Sequence, residues 1–259
     1  MTGIIVIKCG GSMIDSLDQD FYEGIKKLQE DGFRPVIVHG GGPAINQLLE
    51  TLEIESEFID GLRKTTKDVL HTAEMVLSGS MANRLVRGLQ KYGMPSISVT
   101  GFDGQCIQAE AMDPERLGFV GRITGVDSGF LNNLISMGLI PVISPLAAGV
   151  DGEEFYNINA DTAAGAVASS LKAEKLLFVT DVPGVLHKGS LIQHATYDEI
   201  MRYIQDGTIT GGMIPKVKAA LECLDDGMEE TMIVGGNSPF YKDSAIIGTA
   251  IRKEREAVC

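Results

Sequence analysis

Short apolar runs alternate along this chain with longer stretches whose apolar positions recur every three to four residues, the signature of buried strands separated by amphipathic helices. The first run, residues 4–8, is Ile-Ile-Val-Ile-Lys and predicts a strand. A polar opening at Ser16-Leu17-Asp18-Gln19, shaped like a capping box, predicts a helix through Phe21, Ile25 and Leu28. The unit repeats. Residues 35–39 predict a strand, Gly40-Gly41-Gly42 a loop, and Pro43 the first position of a helix over 44–52, where a missing N–H is tolerated. Thr65 and Asp68 mark another capping-box start, opening a helical stretch with Val69, Ala73, Val76 and Leu77 on one face and a break near Gly79.

Farther on, residues 95–99 and 139–143 read as short buried strands, with Gly-rich hairpin material between them and a helix over 128–137. Asp161 starts an Ala-rich helix to residue 171, and residues 175–180 form a strand that ends in a turn. Helices over 197–206 and 213–224 and a strand over 230–234 complete the series. This succession predicts an α/β protein, a mainly parallel twisted sheet between two helical layers, with ligands at the carboxyl ends of the strands. No linker composition divides it; a change in loop content puts a lobe boundary near residue 172, giving lobes of 1–172 and 173–259.

Composition narrows the partners. In 259 residues, 35 Asp+Glu against 22 Lys+Arg leave a net charge of −13, which repels nucleic acid and anionic lipid and excludes both as expected partners. No apolar run approaches the ~18 residues of a membrane-spanning helix. Cys9, Cys106, Cys223 and Cys259 are widely spaced, without zinc-type spacing to the four His, and no metal site is expected. The chain opens on its first strand without an export-type segment, so a reduced, cytoplasmic protein is expected. Glycine, at 31 residues, stands well above the usual share of about 7% and gathers directly after the strand-like runs.

Lys8 ends a strand of Ile and Val and is followed by Cys9-Gly10-Gly11-Ser12. Its ammonium stands at the strand's carboxyl edge, over backbone N–H groups suited to an anion, although an edge lysine snorkelling to water has the same sequence. Cys9 alternates to the opposite face as packing. Three successive glycines at Gly40-Gly41-Gly42 let a backbone approach an oxyanion without interference from Cβ. His39 with these glycines matches the H-G-G-G segment of esterases, but the chain has no G-x-S-x-G elbow, and the hydrolase reading falls. Gly184 to Ser190 lacks the lysine of a Walker A loop, and no G-x-G-x-x-G follows the first strand.

Arg63 suits bidentate binding of a carboxylate, or is a surface arginine. Asn157-Ile158-Asn159-Ala160-Asp161 sets two amides before a helix; cap and loop hydrogen bonding account for it equally. Lys216 follows the Gly211-Gly212 loop near the amino end of a helix, where a cation is disfavoured unless an anion intervenes; with Lys218 it fits a bound phosphate or a solvated face. Thr180-Asp181-Val182-Pro183-Gly184 closes a strand with a Pro–Gly turn that suits a base or ribose and equally a turn without a ligand.

The strings K-C-G-G-S, V-H-G-G-G-P, D-G-L-R-K-T, N-I-N-A-D, T-D-V-P-G-V and G-G-M-I-P-K occur in one order, and together they resemble the amino acid kinase family over essentially the whole chain. Within it the likeness is to members that phosphorylate N-acetyl-L-glutamate. The resemblance implies the αβα fold of that family and transfer of the γ-phosphoryl group of ATP to the side-chain carboxylate of N-acetyl-L-glutamate, in arginine biosynthesis. It implies that Lys8 and Lys216 neutralise the phosphoryl group in flight while Asp161 orients both ammonium groups. Gly10 and Gly11 would donate to phosphate oxygens, Gly41 and Gly42 would hold the reacting carboxylate, Arg63 the α-carboxylate, and Asn157 with Asn159 the substrate. Thr180, Asp181, Val182, Pro183, Gly184 and Val185, with Thr208, Ile209 and Thr210, match the nucleotide-binding stretches. The first lobe would hold the acceptor and mediate dimerisation and the second would hold ATP, with Mg²⁺ carried mainly by the ATP phosphates. Since arginine-inhibited relatives carry an added N-terminal helix, a homodimer insensitive to arginine is expected.

The rival readings are a sister kinase acting on carrier-linked aminoadipate in lysine biosynthesis and a catalytically silent nucleotide-binding regulator. A carboxylate nucleophile is already ionised and needs positioning and charge relief rather than a base, which fits lysines and glycines in place of a catalytic His. His39 is accordingly expected to be structural.

Overall fold

The computed structural model describes residues 3–253; Cys259 lies outside the described residues. The apolar runs form strands Ile4–Cys9 (β1), Arg34–His39 (β2), Ser96–Val99 (β3), Ile140–Ile143 (β4), Lys175–Thr180 (β5), His194–Thr196 (β6), Glu230–Gly235 (β7) and Thr249–Arg252 (β8). They build one eight-stranded sheet in the order β6-β8-β7-β5-β1-β2-β4-β3. The six strands from β7 to β3 run parallel; β8 turns antiparallel to β7 and pairs in parallel with β6. Strands made almost wholly of aliphatic residues require burial on both faces, which parallel sheets receive from crossover helices. Because β1 lies between β2 and β5, the sheet crosses residue 172 unbroken.

Alternation along β1 sends Ile4 and Val6 into one core and Ile5, Ile7 and Cys9 into the other. The second core is covered by Gln19–Glu30 (α1), Gly42–Thr51 (α2), Lys67–Glu74 (α3) and Ala82–Lys91 (α4). The first is covered by Ser128–Ser136 (α5), Ala160–Ser170 (α6), Tyr197–Gln205 (α7) and Met213–Asp225 (α8). This is the three-layer arrangement expected. The hairpin material grows into a separate four-stranded sheet, Phe155–Asn157, Leu146–Gly149, Ile107–Ala111 and Gly121–Val126 in spatial order, which carries Asn157 to the rim of the main sheet.

Three expected helix boundaries shift for local reasons. The cap of α1 is Asp18, whose carboxylate accepts from the N–H groups of Asp20 and Phe21, while the Ser16 hydroxyl turns back to the Met13 carbonyl. The cap of α3 is Thr66 rather than Thr65; Thr65 faces inward, donating to the Arg63 carbonyl. Asn159, not Asp161, caps α6. No break occurs at Gly79. Met75–Met81 instead forms a π-helical segment running straight into α4, because Val76, Leu77 and Met81 are buried against the sheet, which offsets the ~1 kcal/mol cost of an exposed mid-helix glycine.

At the amino-terminal ends of the strands, buried Glu230 on β7 pairs with Lys175 on β5 and Arg252 on β8, tying down the antiparallel junction. Burial pushes its carboxyl up, yet the two cations outweigh burial and hold it below its ordinary value. At the other end His39 is fully buried, and desolvation pulls its imidazole down from 6.5 to about 4. The unfolded chain therefore takes up a proton that the native state resists. Stability is full above pH 6.5 and is lost as pH falls toward 4, by up to about 3 kcal/mol. Urea unfolding of the wild type and His39→Asn between pH 7 and 4 should show the acid-side slope reduced in the variant.

Candidate active site

The carboxyl ends of β1 and β2 lie side by side, Lys8 opposite Val38 and Cys9 opposite His39, and each runs directly into a glycine loop. The loops interlock. A Cβ on Gly11 would fall 2.6 Å from both the N and the Cα of Gly41, backbone atoms that cannot swing aside, so only glycine permits this approach. Cys9 points away into the core, its thiol pushed up to about 12 by burial, and is packing. Lys8 takes the face of Ile4 and Val6, toward the amino end of α6, and its Nζ lies 2.7 Å from Asp161 Oδ1. The Asn159 amide oxygen accepts from the Asp161 and Thr162 N–H groups, which leaves the Asp161 carboxylate free for that contact.

Around this pair a pocket opens. Of the residues singled out from the sequence, Lys8, Gly11, Gly41, Gly42, Arg63, Asn157, Asn159 and Asp161 line it together. Arg63, only 7% exposed, is no surface arginine: it donates to the Gly42 carbonyl at 3.3 Å and to Ser56 Oγ, with its guanidinium 4.6 Å from the centre of the Phe58 ring. Desolvation pulls the guanidinium pKa down from its ordinary value, a cost that a carboxylate ligand would offset. Asn157 donates to Thr65 Oγ1 at 3.2 Å, linking the second sheet to the segment that follows Arg63.

The remaining candidates do not line this pocket. Thr180 ends β5, the other neighbour of β1, so the turn through Asp181, Val182, Pro183 and Gly184 opens at the same carboxyl edge. The Val182 N–H donates to Thr180 Oγ1 at 3.2 Å, and the Val185 N–H to Thr249 Oγ1 at 2.8 Å, which anchors the turn to β8. Thr208, Ile209 and Thr210 precede α8; the Ile209 N–H donates to the Tyr203 carbonyl and the Thr208 N–H to Asp206. Lys216, in the first turns of α8, donates to Asp181 Oδ1 at 2.8 Å. Asp161 therefore holds Lys8, while the ammonium of Lys216 rests on Asp181. The reason is positional, since Asp161 packs beneath β1 while α8 begins beside the turn that follows β5. That hydrogen bond to Lys216 is also the main cause holding the Asp181 carboxyl below its ordinary range.

Contacts across long separations were invisible in the sequence. Leu77 packs against Gly41, where an added Cβ would meet its Cδ2 at 2.7 Å, and the His39 ring reaches Ser144 Oγ at 3.1 Å across 105 positions. Only the apolar face containing Leu77 hinted that its helix approaches the sheet edge.

The chain is similar to known proteins over nearly its whole length. A model of the amino acid kinase family matches residues 3–235. An acetylglutamate kinase of Geobacillus stearothermophilus is 52% identical over 250 residues, covering 96% of each chain. One of Bacillus velezensis is 48% identical over 258 residues, 100% of each. Among solved structures, smu.665 from Streptococcus mutans UA159 superposes with a TM-score of 0.83 at 32% identity, covering 97% of this chain and 99% of that one. The interlocked glycine loops, the Lys8–Asp161 pair and the sheet that presents them thus stand in a chain that belongs to the amino acid kinase family.

Proposed function

We propose that this chain is an ATP-dependent phosphotransferase that moves the γ-phosphoryl group to the side-chain carboxylate of N-acetyl-L-glutamate, giving N-acetyl-L-glutamyl 5-phosphate in arginine biosynthesis. Near 50% identity to acetylglutamate kinases over nearly the full length supports the substrate. The observation that carries the chemistry is the pocket itself, in which a lysine, two glycine loops, a buried arginine and two asparagines converge.

An ionised carboxylate requires no general base, so the chain's task is to bind, orient and balance charge. Arg63 takes the α-carboxylate, and Asn157 with Asn159 the acylated body of the substrate. The N–H groups of Gly41 and Gly42, at the amino end of α2, hold the reacting carboxylate. Gly10 and Gly11 donate to phosphate oxygens, and Lys8, fixed by Asp161, balances charge on the transferred group. Lys216 joins it from the nucleotide side. Its pair with Asp181 is exposed, with side-chain accessibilities of 35% and 68%, and exposed pairs are worth only about 0–1 kcal/mol, so a phosphate readily draws the ammonium away.

Residues 1–172 form the acceptor lobe and 173–259 the nucleotide lobe, with Thr180 to Val185 and Thr208 to Thr210 lining the nucleotide. Mg²⁺ travels with the ATP phosphates and screens their charge; the nearby side chains suit anions, since Asp161 and Asp181 are already engaged by lysines. The enzyme works in the cytoplasm as a homodimer.

The test is a coupled assay with ATP and Mg²⁺ that compares N-acetyl-L-glutamate with glutamate, aspartate and carrier-linked aminoadipate; turnover on the last alone would move the protein to lysine biosynthesis, and nucleotide binding without turnover would make it a regulator. Lys8→Met and Lys216→Met should each lower kcat by ~10²–10³ with unchanged circular dichroism, the loss typical of one preorganised charge-stabilising donor. Wild-type turnover in both would remove them from the site. Arg63→Ala should raise KM for N-acetyl-L-glutamate by roughly ten- to a hundredfold, as for a lost charge-assisted hydrogen bond, and leave KM for ATP nearly constant.

A further inference from the structure

His39 takes no part in the scheme above, yet it stands directly behind the loop that holds the acceptor. It is fully buried, its Nδ1 lies 3.1 Å from the Gly40 carbonyl oxygen, and its Nε2 lies 3.1 Å from Ser144 Oγ. A carbonyl only accepts, so Nδ1 carries the proton and donates to Gly40. The lone pair of Nε2 then needs a donor. The Ser144 hydroxyl has one proton and two acceptors in reach, Nε2 and the Leu77 carbonyl at 3.3 Å. The Leu77 carbonyl already accepts the Ala82 N–H at the end of the π-helical segment, so the hydroxyl serves the imidazole. Every polar atom of this buried chain has a partner when the ring is neutral, the form that its burial favours.

Peptide geometry carries the consequence to the pocket. In a trans peptide the C=O and the following N–H point in opposite directions, and the described chain has no cis bond. Holding the Gly40 carbonyl inward on His39 turns the Gly41 N–H outward, where Gly41 lines the pocket. The Gly41 carbonyl is held in turn by the Ile45 N–H, which sends the Gly42 N–H out from the amino end of α2. Glycine has no Cβ to restrict its peptide planes, and three in succession would let these amides rotate. Leu77 and Gly11 confine Gly41 laterally, and His39 supplies the directional contact.

We propose that His39, braced by Ser144, is a positioning residue that aims the Gly41 N–H into the acceptor pocket by fixing the Gly40 carbonyl, an inference that rests on the acceptor-binding role given to Gly41 above. His39 touches no substrate; it acts through one peptide plane.

The test compares the wild type with His39→Leu, which fills the space without a donor, and His39→Asn, whose amide can donate from the place of Nδ1. Loss of one directed hydrogen bond should raise KM for N-acetyl-L-glutamate roughly tenfold in His39→Leu while KM for ATP moves less than about twofold, and His39→Asn should recover most of the loss. Without any ligand, the ¹⁵N order parameter of the Gly41 amide should be lower in His39→Leu than in the wild type or His39→Asn, because the peptide plane is no longer held. Should His39→Leu fail to fold, Ser144→Ala, which keeps the ring but removes its brace, should move both readouts in the same direction by a smaller amount. Equal changes in both KM values, no advantage of Asn over Leu, or an unaltered Gly41 order parameter would overturn the proposal. If the wild type does not phosphorylate N-acetyl-L-glutamate, the functional reading falls by itself, and the order-parameter comparison alone decides whether His39 fixes this peptide.

Discussion

The contact between Gly11 and Gly41 constrains everything built around it. Two parallel strands about 4.8 Å apart would ordinarily keep their following loops separate by the bulk of a Cβ on each. Here the loops after β1 and β2 touch backbone to backbone, which brings two sets of N–H groups into one small volume. A side chain at Gly11 would have to push main chain rather than a rotamer, and one at Gly41 would meet Leu77. The site is thereby made of peptide groups, which do not titrate and whose directions follow from strand register and helix starts. Lys8, the last outward-facing position of β1, adds its charge where those groups converge.

Charge in an acidic molecule needs local management. At a net −13, a long-range potential would disfavour both an acidic acceptor and a nucleotide, so binding depends on cations placed within a few ångströms. The Arg63 guanidinium is stacked on Phe58 and already spends donors on Gly42 and Ser56, which keeps it in one orientation. A fixed fork binds a carboxylate with less loss of side-chain freedom than a mobile one. Because Arg63 donates to the Gly42 carbonyl, the same residue steadies the glycine loop after β2.

Much of this was legible in the sequence where one residue does one local job. Runs such as Ile4 to Ile7 and Leu176 to Val179 admit little besides buried strands, and glycines directly after them mark the carboxyl edge. Reading failed where two neighbours compete for one role. Thr65 and Thr66 are equally good caps in isolation; tertiary contacts of Thr65 with Arg63 and Asn157 decide between them. Gly79 reads as a breaker, but burial of Val76, Leu77 and Met81 outweighs its propensity. Strands as short as β6 and β8 carry too few positions for periodicity to register. The resting partner of Lys216 was not legible for a different reason: Asp161 and Asp181 are both acids near the carboxyl edge, and only topology separates the neighbour of β1 from the turn after β5.

The two lysine pairs differ in a way that divides labour. Lys8 and Asp161 have side-chain accessibilities of 14% and 31% and belong to β1 and α6, elements packed on the same core. Moving that ammonium would mean unpairing a partly desolvated carboxylate, so its position is set before any ligand arrives. Lys216 and Asp181, at 35% and 68%, belong to a helix start and an exposed turn. Water can replace either partner there at little cost. In the proposed reaction, a preformed cation on the acceptor side and a displaceable one on the nucleotide side suit an enzyme whose larger substrate brings its own charge: the small acceptor would meet a rigid cradle, and the nucleotide would complete the balance by drawing Lys216 from its resting partner.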